Sequence, residues 1–265
     1  MRGDGHSFTF LGTGAGCGVP AFFCSCAACD EARANPQARR GCCGVLVEGA
    51  QRLLIDTPPD LRHQLVREGV DAVDRLAYTH AHYDHVSGLG ELEYLVRLKR
   101  EAPLPVAASA ETLAGIGQEF GYMADCLAPE ELAPFEGFDF DGARYTALPV
   151  AHAPGTFGFL VETPRTALFY ASDTGRLGAE TAERVRGIDI LVLDATFWKH
   201  NWSPGAHHSV QEAVEEGLGL DVSELYLTHL AMHYDEPITL AALEDYLAPY
   251  KGRVKAAFDG LRLAI

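Results

Sequence analysis

The chain has 265 residues, of which 48% are hydrophobic; that is ample for a sizeable core, and no apolar run approaches the roughly 20 residues that a membrane-spanning helix needs. Its formal net charge of −16, from 21 Lys and Arg against 37 Asp and Glu, argues against broad contact with a nucleic-acid backbone, and cations in a metal site would offset part of it. The opening residues MRGDGHSFTF hold one Arg, an early Asp and no apolar stretch ending in small residues, so no secretory leader is read and a cytoplasmic location is expected.

In chain order, short β-rich runs fall at 7–12 (SFTFLG), 44–49 (GVLVEG), 52–57 (RLLIDT), 74–79 (DRLAYT), 104–109 (LPVAAS) and 145–151 (YTALPVA). Further runs follow at 157–163 (FGFLVET), 167–172 (ALFYAS), 189–195 (DILVLDA), 224–229 (ELYLTH) and 254–260 (VKAAFDG). Helical patterns lie between some of them, over 60–68, 87–100, 111–127, 210–218 and 239–250. The mixture predicts sheets covered by helices. No repeat, low-complexity tract or linker marks a boundary, so residues 1–265 read as one domain.

The chemistry-bearing residues gather just past the C-terminal ends of predicted strands. DRLAYT runs into His80, YTALPVA into His152, ALFYAS into Asp173 and ELYLT into His229. Strands that deliver polar side chains to one rim are how α/β enzymes build a site.

The segment YTHAHYDHVSGL sets His80, His82, Asp84 and His85 in the pattern H-x-H-x-D-H. On extended backbone His80 and His82 point the same way and can reach one metal ion. Asp84 and His85 come where the chain turns into a helix expected to start near Val86, and diverge toward a second position. Imidazole with carboxylate suits zinc, manganese or iron. The bland alternative is a histidine-rich surface loop.

Seven cysteines lie at Cys17, Cys24, Cys26, Cys29, Cys42, Cys43 and Cys126. In a reducing compartment that clustering argues for metal ligation over disulfides. Cys24, Cys26 and Cys29 form C-x-C-x-x-C, which can wrap one tetrahedral zinc with a further ligand from elsewhere. Three small buried cysteines are the alternative.

The H-x-H-x-D-H motif resembles that of the metallo-β-lactamase fold hydrolases. That resemblance implies an αββα sandwich of the α/β (α+β) class, with two mixed sheets flanked by helices. It also implies two divalent cations (manganese or zinc, or iron), one held by His80, His82 and His152 and the other by Asp84, His85 and His229, with Asp173 between them. Cations about 3.5–4 Å apart can acidify a bridging water, and the expected reaction is hydrolysis. Asp84 and Asp173 thereby take catalytic as well as ligand roles. Asp56, at the end of RLLID, resembles a family position that supports the ligands.

FLGTGAGCGVPAFFCSCAAC followed by LIDTPPDLRHQL narrows the likeness to the PhnP-like phosphodiesterases, whose named member opens 5-phosphoribosyl 1,2-cyclic phosphate. This implies one structural zinc in a cysteine-rich loop at about residues 17–43. In that subgroup a histidine three residues after the last active-site histidine completes the site. Met232 stands at that place here, so His233 is taken as the fourth ligand, with Cys17 as the fallback. SPGAHHSVQEAV maps the subgroup's general acid onto His207, with His208 as its rival and Ser209 beside them. His63 and His200 read as surface or packing residues, and Phe22, Phe23 and Phe157 as core or pocket lining.

The expected function is hydrolysis of a small cyclic or diester phosphate. The alternatives are a nuclease like those that process tRNA 3′ ends, a thioester or lactone hydrolase, and a non-enzymatic carrier of small molecules on the same fold. The expected partner is a small phosphate ester, with neither membrane nor nucleic acid, and a homodimer is the candidate assembly.

Overall fold

A strand covered on both faces has no polar side, and the runs GVLVE, RLLI and ILVLD are of that kind. In the computed structural model, which describes residues 5–234 and 236–265, they form interior strands of two stacked sheets. Residues 1–4, part of the stretch read for a leader, lie outside the described residues.

The strands are β1 (Ser7–Gly12), β2 (Gly44–Glu48), β3 (Arg52–Ile55), β4 (Arg75–Ala77), β5 (Leu104–Ala108), β6 (Leu127–Glu131), β7 (Gly137–Phe140), β8 (Ala143–Pro149), β9 (Phe157–Glu162), β10 (Ala167–Ala171), β11 (Ile190–Asp194), β12 (Glu224–Thr228), β13 (Val254–Ala256) and β14 (Arg262–Ala264). The first sheet runs β14-β1-β2-β3-β4-β5-β6 and the second β13-β12-β11-β10-β9-β8-β7. Each has an antiparallel half and a parallel half. In the first, β14 to β3 pair antiparallel and β3 to β6 parallel. In the second, β7 to β10 pair antiparallel and β10 to β13 parallel.

Alternation along the strands sorts the core into three layers. Val45, Val47, Leu53 and Ile55 face Tyr145, Phe159, Tyr170 and Val192 between the sheets. Leu46, Leu54, Leu76 and Val106 point the other way, under Leu89, Val96 and Ile116. Leu191, Leu193 and Leu225 likewise pack beneath Val214 and Leu243 of the helices Val210–Gly219 and Leu240–Leu247. Helices therefore cover both outer faces, which gives the αββα sandwich. Phe8 locks the middle layer, with its ring 5.2 Å from Phe10 and 5.8 Å from Tyr170 of the opposite sheet.

The structure adds three strands to those expected, and all lie at sheet edges. β6 (LAPEE), β7 (GFDF) and β14 (RLA) each have one pairing partner and weak apolar content, and an edge accepts Pro129 because one side needs no donor. The region 87–100 is helical as expected but irregular, a tight turn over Ser87–Leu92 leading through Glu93–Leu95 into a wide turn over Val96–Arg100. A helix within the cysteine stretch, Ala27–Ala34, was hidden by its metal-like spacing.

At one rim the two sheets are stitched together. Phe157 N–H donates to the Thr79 carbonyl at 2.9 Å, and Leu230 N–H to that of Thr13 at 2.9 Å. This is the rim that receives the C-terminal ends of β4, β8, β10, β11 and β12.

Phe8 is fully buried between the sheets, so Phe8→Ala should lower unfolding stability by roughly 3–5 kcal/mol. Urea unfolding followed by circular dichroism reads it, and a loss below about 1 kcal/mol would show that the inter-sheet layer is not tightly packed there.

Candidate metal centre

The segment after β4 leaves the sheet in extended backbone, then turns into a short helix, Tyr83–Val86. That helix begins at Tyr83 and not near Val86, so Asp84 and His85 sit in its first turn. His82 precedes it with extended backbone, φ −70° and ψ 151°.

The rim brings the seven expected ligands together. His82 Nδ1 lies 2.9 Å from His80 Nε2 and 3.0 Å from His152 Nε2. On the other side, Asp84 Oδ2 lies 3.5 Å from both His85 Nε2 and His229 Nε2. Asp173 reaches both rings, with Oδ2 at 3.1 Å from His85 Nε2 and Oδ1 at 3.1 Å from His229 Nε2. It also falls in one group with His80 and His85, whose donor atoms all lie within 4.8 Å of one another.

Ring orientation comes from a second set of partners. Asp56 accepts from Thr79 N–H and Oγ1–H at 2.8 Å each and from His85 Nδ1 at 2.9 Å. Thr79 Oγ1 lies 3.0 Å from His80 Nδ1. Across the rim, Asp194 accepts from Thr196 N–H and Oγ1–H at 2.8 Å each, from Thr174 N–H at 3.0 Å and from His207 Nδ1 at 2.7 Å. Thr196 Oγ1 lies 2.8 Å from His229 Nδ1, and His152 Nδ1 donates to the Ala206 carbonyl at 3.0 Å. With Nδ1 engaged in each, His80, His85, His152 and His229 turn Nε2 inward, as metal-binding histidines do. Asp56 and His229 also hold left-handed backbone, φ 66° and 56°, which costs an L-residue roughly 1–2 kcal/mol.

The cluster's electrostatics fit cations. Burial disfavours the charged form of Asp173, yet His229 and His85 outweigh it and hold the carboxyl well below the usual carboxylate range. Asp84 is likewise driven down against its own burial, chiefly by His85. Burial lowers His80 and His152. His85 Nε2 and Asp173 Oδ2 are buried and face each other without a hydrogen bond. Nitrogen and oxygen donors that converge with ionised carboxylates, with no thiolate among them, are what a hard or borderline divalent cation requires.

His207 and His208 separate clearly. Both nitrogens of His208 are engaged away from the cluster, Nδ1 with the Thr174 carbonyl at 2.7 Å and Nε2 with Glu216 at 2.6 Å. His207, anchored through Nδ1 by Asp194, stacks on His229 with ring centres 5.4 Å apart. Ser209 caps the following helix through a reciprocal pair with Glu212.

In the cysteine stretch, donor atoms of Cys24, Cys29 and His233 come within 4.8 Å of one another. Cys26 stands beside both thiols but outside that group. Met232 takes left-handed backbone, φ 58°, and buries its side chain in the core, so the chain presents His233 one residue later than in the resembling subgroup. Cys17 Sγ lies 3.4 Å from His233 Nε2. His63 and His200 are exposed and outside both groups. Phe157 belongs to the core, whereas Phe22 and Phe23 are 94% and 70% exposed, so neither packs as core.

Asp194, Thr79 and Thr196 were not singled out in the sequence. Asp194 ends the run DILVLD, so the rule that picked out residues at strand ends also covers it. The two threonines carried no signal, because a threonine at a strand end is ordinary.

Several known proteins resemble this chain. The family profile described as Beta-lactamase superfamily domain matches residues 51–230. The chain is 25% identical over 264 residues to a protein named octanoyltransferase from Porphyromonas gingivalis, covering 96% of this chain and 51% of that protein, so it spans about half that relative's length. It is 28% identical over 311 residues to coenzyme PQQ synthesis protein B of Cupriavidus necator, covering 98% of this chain and 99% of that one. The crystal structure of a diphosphatase from the PhnP family superposes with a TM-score of 0.86 at 29% identity, covering 98% of this chain and 97% of that one.

Asp56 orients one ligand directly and a second through Thr79, so Asp56→Asn should weaken metal affinity by about 10–100-fold while leaving far-ultraviolet circular dichroism unchanged. Competition against a chromogenic chelator measures this. An unchanged affinity would show that ring orientation does not depend on this carboxylate.

Proposed function

The chain belongs to the beta-lactamase superfamily, and on that footing we propose that it is a metal-dependent hydrolase that cleaves a P–O bond in a small phosphodiester, cyclic or linear. The observation that carries this reading is the convergence of two three-residue sets with Asp173 in reach of both, its Oδ2 and the facing His85 Nε2 left without hydrogen bonds.

His80, His82 and His152 would hold one cation, Asp84, His85 and His229 the other, and Asp173 both. Divalent cations bound there supply Lewis-acid charge to a phosphoryl oxygen and acidify water. The chain's own residues do the rest. Asp56 and Asp194 fix the imidazoles, which saves the cost of ordering them around substrate. His207 is the group we assign to protonate the leaving-group oxygen, because Asp194 holds its Nδ1 and its ring stacks against the cluster. His208 anchors the loop behind Asp173 through the Thr174 carbonyl. We assign a structural zinc to Cys24, Cys26, Cys29 and His233, supported by the mutual approach of three of these groups.

A second reading, hydrolysis of a diphosphate linkage, is favoured by the 29% identical structure of a diphosphatase. Both reactions attack phosphorus and expel an oxygen that needs a proton.

With manganese-loaded protein, 5-phosphoribosyl 1,2-cyclic phosphate, an aryl phosphodiester and a nucleoside diphosphate sugar separate the readings. Turnover of a diester supports the first, of the diphosphate alone the second, and silence on all three shifts the assignment to carbonyl esters. Asp173→Ala should abolish turnover with the fold retained, and His207→Ala should lower kcat by about 10²-fold or more. A full rate in Asp173→Ala would remove that residue from its shared position.

A further inference from the structure

We propose that Trp202 and Tyr234 form a stacking shelf for a planar ring in the departing half of the substrate, so that preferred substrates carry a nucleobase or aryl ring on the leaving group. The inference rests on the hydrolytic reading above and takes its direction from His207. A proton delivered from that ring to the leaving-group oxygen places the leaving group beside it.

What lies beside His207 is a row of aromatic rings. His207 faces Phe197 edge-on with centroids 6.1 Å apart, and Phe197 meets Trp202 at 4.4 Å and Tyr234 at 6.0 Å. Trp202 and Tyr234 are 5.8 Å apart at an interplanar angle of 30°. Phe197 is buried and backs the row, whereas Trp202 is 55% exposed. The far end of the row approaches the second ligand set. Tyr234 Oη lies 3.8 Å from Cys17 Sγ, and the neighbouring Gly16 lies close against the Asp84 carboxylate. The shelf therefore runs along the rim from the assigned proton donor toward Asp84.

The indole rests on Phe197, and the backbone that carries it is also held. Asn201 Nδ2 donates to the His207 carbonyl and to Glu212 at 2.8 Å each, and Asn201 Oδ1 accepts from Ser203 N–H at 2.9 Å. Ala206 and His207 N–H donate to the Ser203 carbonyl at 3.0 Å each. The backbone on both sides of Trp202 is thus pinned to the segment that carries His207, while about half of the residue stays exposed. A ring fixed before binding loses little entropy when another ring stacks on it. Every base and aryl group has such a face, so the shelf selects for a planar ring and not for one particular base.

Steady-state kinetics of the metal-loaded enzyme test this with a 4-nitrophenyl phosphodiester and the ring-free cyclic sugar phosphate. Trp202→Ala should raise KM for the aryl ester by roughly ten-fold with kcat changed less than about three-fold, and should affect the ring-free ester much less. Trp202→Phe should recover most of the loss. Equal losses on both substrates, or a loss that Phe does not recover, would mark Trp202 as a structural cover for Phe197 and overturn the shelf. Binding gives a separate arm, since Trp198 and Trp202 are the two tryptophans of the chain. In Trp198→Phe protein, adenosine monophosphate should quench the remaining indole emission. Quenching without turnover of either ester would sink the hydrolytic reading and keep the shelf, and turnover without quenching would sink the shelf alone.

Discussion

Two buried carboxylates, Asp56 and Asp194, hold the candidate metal centre in shape. One follows β3 in the first sheet and the other ends β11 in the second, and neither has any exposed surface. A buried carboxylate is costly unless donors saturate it. Each is saturated in the same way, by backbone N–H, a threonine hydroxyl and an imidazole Nδ1. The threonine then passes the constraint to a further ring, His80 in one case and His229 in the other. The bonds that satisfy these two carboxylates also aim the ligand nitrogens inward.

The sheets explain why so many donors can meet. Where neighbouring strands run parallel, their C-terminal ends share a rim, and the parallel halves β3 to β6 and β10 to β13 bring Asp56, His80, Asp173, Asp194 and His229 to it. β8 adds His152, because two antiparallel steps return it to the direction of β10. The backbone bonds Phe157 to Thr79 and Leu230 to Thr13 then fix the spacing between sheets. The donor cluster therefore inherits its geometry from the two packed sheets and from the rim bonds that join them.

The cysteine stretch is coupled to this rim through one short segment. His229 and His233 lie on the same turn after β12, whose backbone is tied to Thr13 through Leu230 and to Thr196 through Ala231. Ordering around Cys24, Cys29 and His233 therefore acts on the segment that carries His229. Cys42 and Cys43, by contrast, are buried thiols pushed up chiefly by burial, and they serve as small core residues.

Much of this was legible in the chain itself. The short β-rich runs marked eleven strands, and H-x-H-x-D-H followed by single residues at three later strand ends marked the seven donors, because local spacing and strand direction are written in the residues. The edge strands β6, β7 and β14 were not legible, since an edge buries too little to impose an apolar pattern. Pairing between distant positions was not legible either. The resemblance already favoured His207 over His208, and the tertiary structure added a physical ground by occupying both nitrogens of His208. It also brought Thr79 and Thr196 to their carboxylates and set Trp202 and His207 against the same ring, Phe197. Sequence determines which groups each strand end can offer; how those ends face one another depends on packing between sheets, which no local pattern encodes.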